Sequence, residues 1–239
     1  APKERPHRLL ILPVRFTETG YDRFAGDPEQ DDKNRAYFQD LLFAGSPDDP
    51  EPGTLSHYYR HQSRGRYNVT GDIFPVVELE QPLHYYGRPA QSSDGSWRND
   101  ERATDLVIDA LRAAYAAEPD FPWQDYDRWD PGDFDDDGNR DEPDGYLDHF
   151  ILIVAGKGQS SCQGLFKLDE KLNANATAEA FFGLTPAEQA CADRIWPHRF
   201  ALSQNLDSGP LVEGRMNVRG GVDIGTGMWA ATGVLAALN

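Results

Sequence analysis

Residues 133–150 read DFDDDGNRDEPDGYLDHF, with seven aspartates and one glutamate in eighteen positions, and run directly into an apolar stretch. Taking Asp133 as position 1 places Asp135 at 3, Asp137 at 5, Gly138 at 6, Asn139 at 7, Asp141 at 9 and Asp144 at 12. That is the ligand spacing of an EF-hand calcium loop, with glycine where the backbone turns most sharply. Calcium takes about six to eight hard oxygens at roughly 2.3–2.6 Å, and alternating carboxylates on a coiled loop converge on one point. Without a cation the same carboxylates repel one another, and some must protonate or turn out to water. The expected metal ligands are therefore Asp133, Asp135, Asp137, Asn139, Asp141 and Asp144, with Asp125, Asp127, Asp130 and Asp148 nearby as reserves. Position 12 is Asp where EF-hands use Glu, and the loop is flanked by Pro131-Gly132 and a strand instead of two helices. The expectation is a calcium loop embedded in another fold. The competing reading is a solvated acidic face.

The other chemistry-bearing residues give weaker signals. His57 and His61 are four apart on an expected helix and could face one metal, but no glutamate follows His57 in the way a zinc helix requires. Surface or structural roles are expected for both. His149, at the end of the acidic loop, and His198, in WPHRF, are expected to make hydrogen bonds at the edge of the core. AGKGQSSCQG (155–164) lacks the phosphate-loop pattern, and Ser160 and Ser161 lack the context of a nucleophile elbow. On spacing alone, Cys162 and Cys191 are either a bridge or two buried thiols.

Positioning such a loop requires a scaffold. RLLILPVRF (8–16) reads as a buried strand that Pro13 could interrupt. DDKNRAYFQDLLF (31–43) reads as a helix, followed by a shorter one from Thr54, a turn at Gly65 and two strands about Gly71. In ERATDLVIDALRAAYAAE (101–118), Ala103, Leu106, Val107, Ala110, Leu111 and Ala114 form an apolar stripe at helical spacing, and Pro119 stops the helix. YLDHFILIVAG (146–156) reads as a strand buried on both faces. LTPAEQACADRIW (184–196) opens with Thr185 as N-cap, Pro186 at the first helical position and Glu188 three residues on, a capping box. This order gives an α/β (α+β) fold, a mixed sheet with packed helices.

The 239 residues are enough for one sizeable core. A net charge of −17, from 40 acids and 23 bases, would repel nucleic-acid phosphates and anionic membrane surfaces, so neither is an expected partner. No apolar run approaches the roughly 18 residues of a membrane span. The sequence opens at Ala1 without a signal-like apolar segment, so any secretion signal is expected to lie outside it.

WQDYDRWDPGDFDDDGNRDEPDGYLDHFILIVAGKGQ (123–159), followed by DRIWPHRF (193–200), resembles the immune inhibitor A family of secreted bacterial zinc metallopeptidases. LLILPVRF, YFQDLLF, LSHYYRHQSRGRYNVTGDI and the closing GGVDIGTGMW (220–229) resemble the same family, in order. The resemblance implies a secreted, extracellular protein with a zincin-like catalytic domain, protein or peptide substrates, structural calcium and a catalytic zinc. Extracellular placement also favours the Cys162–Cys191 bridge. Zinc in this family is held by H-E-x-x-H, with the glutamate as general base. None of the six histidines here (His7, His57, His61, His84, His149 and His198) begins that motif, and after Trp229 the chain reads AATGVLAALN. The expectation is one metallopeptidase-like domain over residues 1–239, its amino-terminal part, ending before the zinc helix and inactive by itself. The alternative is a non-catalytic calcium-binding scaffold or binding module derived from that family.

Overall fold

The structure, a computed structural model, describes residues 7–46, 49–91, 97–98, 100–162, 185–225 and 227–237. The central sheet has strands β1 (His7–Phe16), β2 (Val69–Ile73), β3 (Val77–Leu79), β4 (Phe150–Val154), β5 (His198–Ala201) and β6 (Thr232–Ala237). Their order is β2-β1-β4-β6-β5, with β3 pairing the later part of β1. All pairs are parallel except β6 with β5. The sheet is mixed, as expected.

Strand β1 runs unbroken through Pro13, which pairs in register with Ile153 of β4. The reason is geometric. Ile11 accepts a hydrogen bond from Phe74 on the β2 side, so the Pro13 nitrogen, two residues on, points the same way. There β2 ends opposite Ile11 and β3 begins opposite Val14, so no donor is missed. The expected pair of strands about Gly71 is instead one strand, Val69–Ile73, passing through it, with the second at Val77–Leu79.

Helices α1 (Gln30–Phe43) and α2 (Leu55–Gln62) cover one sheet face, and α3 (Ala103–Ala117) covers the other. The whole expected stripe of α3 is buried, Leu106 and Ala110 completely, against Leu10, Leu12 and Val14 of β1 and Leu152 and Val154 of β4. Leu9, Ile11, Ile73 and Ile153 meet Phe38 of α1 on the opposite face. Alternate residues of β1 thus enter two cores, which explains its unbroken apolar sequence. Fully burying each such side chain contributes about 1.5–3 kcal/mol. Helix α4 (Pro186–Ala192) starts with the expected capping box, the Thr185 hydroxyl accepting from Glu188 N and Glu188 accepting from Thr185 N. Cys162 and Cys191 form a disulfide. Among the described residues no helix is long and apolar enough to cross a membrane.

Candidate functional site

The acidic loop lies between α3 and β4. A 3-10 turn at Trp123–Tyr126 leads into it, and Asp148 N donates to Tyr126 O at 2.9 Å where the chain returns. Leu147 N donates to Trp229 O and Trp229 N to Gly145 O, fixing the exit against the 222–230 ladder. Gly145 has φ +86, and a Cβ there would come within 2.4 Å of Pro210, so only glycine fits this junction.

Within the loop three residues take left-handed backbone conformations, Asp133 (φ 52), Asp136 (φ 63) and Gly138 (φ 83). Aspartate and glycine are the types that tolerate this, and the result is a tight coil. The side chains lock that coil. Asp133 Oδ1 accepts from Gly138 N at 3.0 Å, Asp135 Oδ1 from Asp137 N at 3.1 Å, Asp137 Oδ1 from Asn139 N at 2.6 Å and Asn139 Oδ1 from Asp141 N at 3.2 Å. Each acid thereby keeps one oxygen on the loop's own backbone. Asp133, Asp135 and Asp137 each offer an oxygen, and these lie within 4.8 Å of one another.

The other three expected ligands are placed differently. Asn139 and Asp141 are exposed on the same coil, and Asn139 Nδ2 donates to Glu142 Oε2 at 2.6 Å. Asp144 is buried and pairs with Arg219, whose guanidinium also lies 4.7 Å from the Tyr146 ring centre. The three-carboxylate group does not include Asp141 or Asp144. Burial pushes the Asp144 carboxyl up to about 6, against the pull of Arg219.

The four reserve residues bond to the loop's base and its surroundings. Asp127 accepts from Asp144 N and Gly145 N, both at 2.9 Å, and Asp130 accepts from Gly132 N and Phe134 N. Asp148 accepts from Arg128 N at 2.8 Å, and Asp125 pairs with Arg8. These carboxylates clamp the base of the loop to its surroundings. Burial raises Asp127 to about 6 and Asp148 to about 7.

The histidines do not assemble a zinc centre. His57 and His61 stack on α2 with ring centres 5.8 Å apart, and the three residues between them are Tyr58, Tyr59 and Arg60. Among the described residues no histidine belongs to a group of three potential metal ligands. His149 lies beside Trp129, and His198 Nδ1 is 2.5 Å from Trp196 O and 3.9 Å from Asp100 Oδ2. The donor set of a catalytic zinc, two imidazoles one turn apart with a glutamate between them, does not fit the residues present.

Two charged residues escaped the sequence reading. Arg219 is 75 positions from Asp144 in a segment without a motif, and nothing local marks it as that carboxylate's partner. Asp100 is buried, has φ 52, and has one oxygen, Oδ1, with no hydrogen-bond partner.

The profile described as immune inhibitor A peptidase M6, catalytic domain, matches residues 3–177, well over half of the chain. This chain belongs to the immune inhibitor A peptidase M6 family. It is similar to immune inhibitor A of Bacillus thuringiensis subsp. alesti, 29% identical over 167 residues, covering 67% of this chain and 24% of that protein. It is also similar to the pre-pro-metalloprotease PrtV of Vibrio cholerae serotype O1 (strain M66-2), 29% identical over 197 residues, covering 81% of this chain and 17% of that protein. The chain thus spans about a quarter or less of the length of these M6 relatives. The family match covers all of the acidic loop and strands β1 to β4.

Proposed function

We propose that this M6 chain supplies the sheet, the packed helices and a structural calcium loop of a secreted, zinc-dependent metalloendopeptidase domain of zincin type, acting on protein or peptide substrates. Family membership and the relatives' names support the peptidase part. One observation carries the calcium part: three carboxylates at EF spacing converge within 4.8 Å on a loop whose own side chains cap its backbone. A divalent ion there would offset the mutual repulsion of the three charges. Its effect would be to hold the 127–148 connection in place between α3 and β4. Ligands would come from Asp133, Asp135 and Asp137, with Asn139 and Asp141 on the same coil and Asp144 once it is released from Arg219.

The 239 residues hold no H-E-x-x-H, so no hydrolytic step is assigned to them and no peptidase activity is expected from this chain alone. A second reading is a non-catalytic calcium-binding scaffold of M6 descent. Two assays separate the readings. Calorimetric titration with calcium should show one saturable site, and a flat titration rejects calcium in both readings. Casein cleavage by this chain, abolished by a zinc chelator, would contradict its expected inactivity.

A further inference from the structure

We propose that the cleft at the carboxyl ends of β1 and β4 binds a small aromatic carboxylate. Topology supplies the first reason. After β1 the chain turns to α1, α2 and β2 on one side of the sheet, whereas after β4 it continues to β5 and β6 on the other. Adjacent parallel strands whose connections diverge leave a crevice beyond their carboxyl ends, the place where open α/β sheets bind ligands.

That crevice is a cavity of about 390 Å³, within the range of small-molecule sites. Its walls include Tyr21 and Arg23 from the segment after β1, Asn34, Tyr37 and Phe38 from α1, and Lys157 from the segment after β4. The Tyr21 hydroxyl is 3.1 Å from Val14 O and 2.5 Å from Ile153 O, so it ties the two strand ends together and forms a fixed wall. Tyr37 and Phe38 provide flat apolar surface. Asn34 is 1% exposed, with Nδ2 donating to Gln30 O at 2.9 Å.

Charge identifies the ligand's head group. The chain has 40 acids for 23 bases, yet neither Arg23 nor Lys157 has a carboxylate partner among the described residues. The Arg23 guanidinium carbon lies 3.9 Å from the Tyr37 ring centre, and its Nη2 donates to the Tyr37 hydroxyl at 3.3 Å, which leaves other guanidinium edges for a carboxylate. Among the described residues of the wall Asp22 is the one acid, beside Arg23 and Lys157. No glycine-rich phosphate loop adjoins the cleft, and the aromatic walls favour a planar organic body over inorganic phosphate. The inference does not depend on calcium or on peptidase activity.

Calorimetric titration of the 239-residue chain with sodium benzoate tests it, with benzyl alcohol as the neutral counterpart and inorganic phosphate as the bare anion. Saturable benzoate binding at roughly millimolar affinity or tighter is expected. Arg23→Gln and Lys157→Gln should each weaken it about tenfold, and Arg66→Gln, an exposed cation outside the cleft, should leave it unchanged. Arg23 and Lys157 are exposed, so circular dichroism should show both variants folded. Absence of saturable benzoate binding, equal binding of benzyl alcohol or phosphate, or indifference to both cation variants overturns the proposal.

Discussion

Arg219 and Asp144 form an ion pair across 75 positions, the carboxylate 1% exposed and the guanidinium 39% exposed. The pair joins the twelfth position of the acidic loop to the segment before the 222–230 ladder. If Asp144 also belongs to a calcium site on Asp133, Asp135 and Asp137, the ion would compete with an internal cation for that carboxylate.

Replacing Arg219 with alanine should lower stability in calcium-free buffer by about 1–2 kcal/mol, because a buried carboxylate loses its partner while the half-open side of the pair admits water. Added calcium should shrink that loss by taking over the neutralisation. Urea midpoints with and without calcium measure both quantities. Equal losses in the two buffers would show that Asp144 does not face the ion.

Calcium should raise the melting temperature, and a calcium chelator should reverse the rise. At a free concentration one hundred times the dissociation constant, linkage gives about 2.7 kcal/mol. Asp135→Ala or Asp137→Ala should remove most of the shift, since each takes one of three converging oxygens. A melting curve indifferent to calcium would return the loop to the status of a charged surface.

Asp100 gives the fold a pH dependence of definite sign. Burial raises its carboxyl to about 7, against the hydrogen bond from Trp196 N, whereas an unfolded aspartate titrates near ~3.9. The folded state then holds the proton more tightly. The group costs nothing below about pH 4, its cost accrues as pH rises toward 7, and it is complete above that. Asp100→Asn keeps a side chain that accepts positive φ and should flatten the profile, with a gain of about 1–3 kcal/mol at pH 8 and little change at pH 4. Parallel profiles for the two proteins over that range would refute the assignment.

Reducing Cys162–Cys191, or replacing both with serine, should destabilise by about 3–4 kcal/mol in the chain-entropy model for a connection of this length, a separation of 29. Thermal melts with and without reductant provide the measurement. A melting temperature unaffected by reductant would mean that the bridge constrains a segment already ordered in the unfolded chain.

Much of the scaffold was legible from periodicity and local chemistry. The α3 stripe buries as spaced and the Thr185–Glu188 capping box closes as written, while Asp133, Asp135 and Asp137 bring one oxygen each to within 4.8 Å of one another. These signals are local, carried by neighbours within one or two turns. What escaped was non-local. Pro13 reads as an interruption until the gap between β2 and β3 is known. The backbone donors that Asp127, Asp130 and Asp148 hold are equally invisible in the sequence. Arg219 and Asp100 are ordinary charged residues in sequence, and only folding shields Asp144 and Asp100 from water.

The proline in the central strand makes β1 sensitive to parity. At position 13 its nitrogen falls where the neighbouring chain passes from one strand to the next. At an even position the same ring would face β4, where Leu10 N donates to His149 O and the ladder runs without a break from Leu10 to Val14. Leu12→Pro would thus cut the middle of the sheet although it moves the imino acid by a single residue. One strand carries both the most tolerant and the least tolerant seat for this ring, side by side.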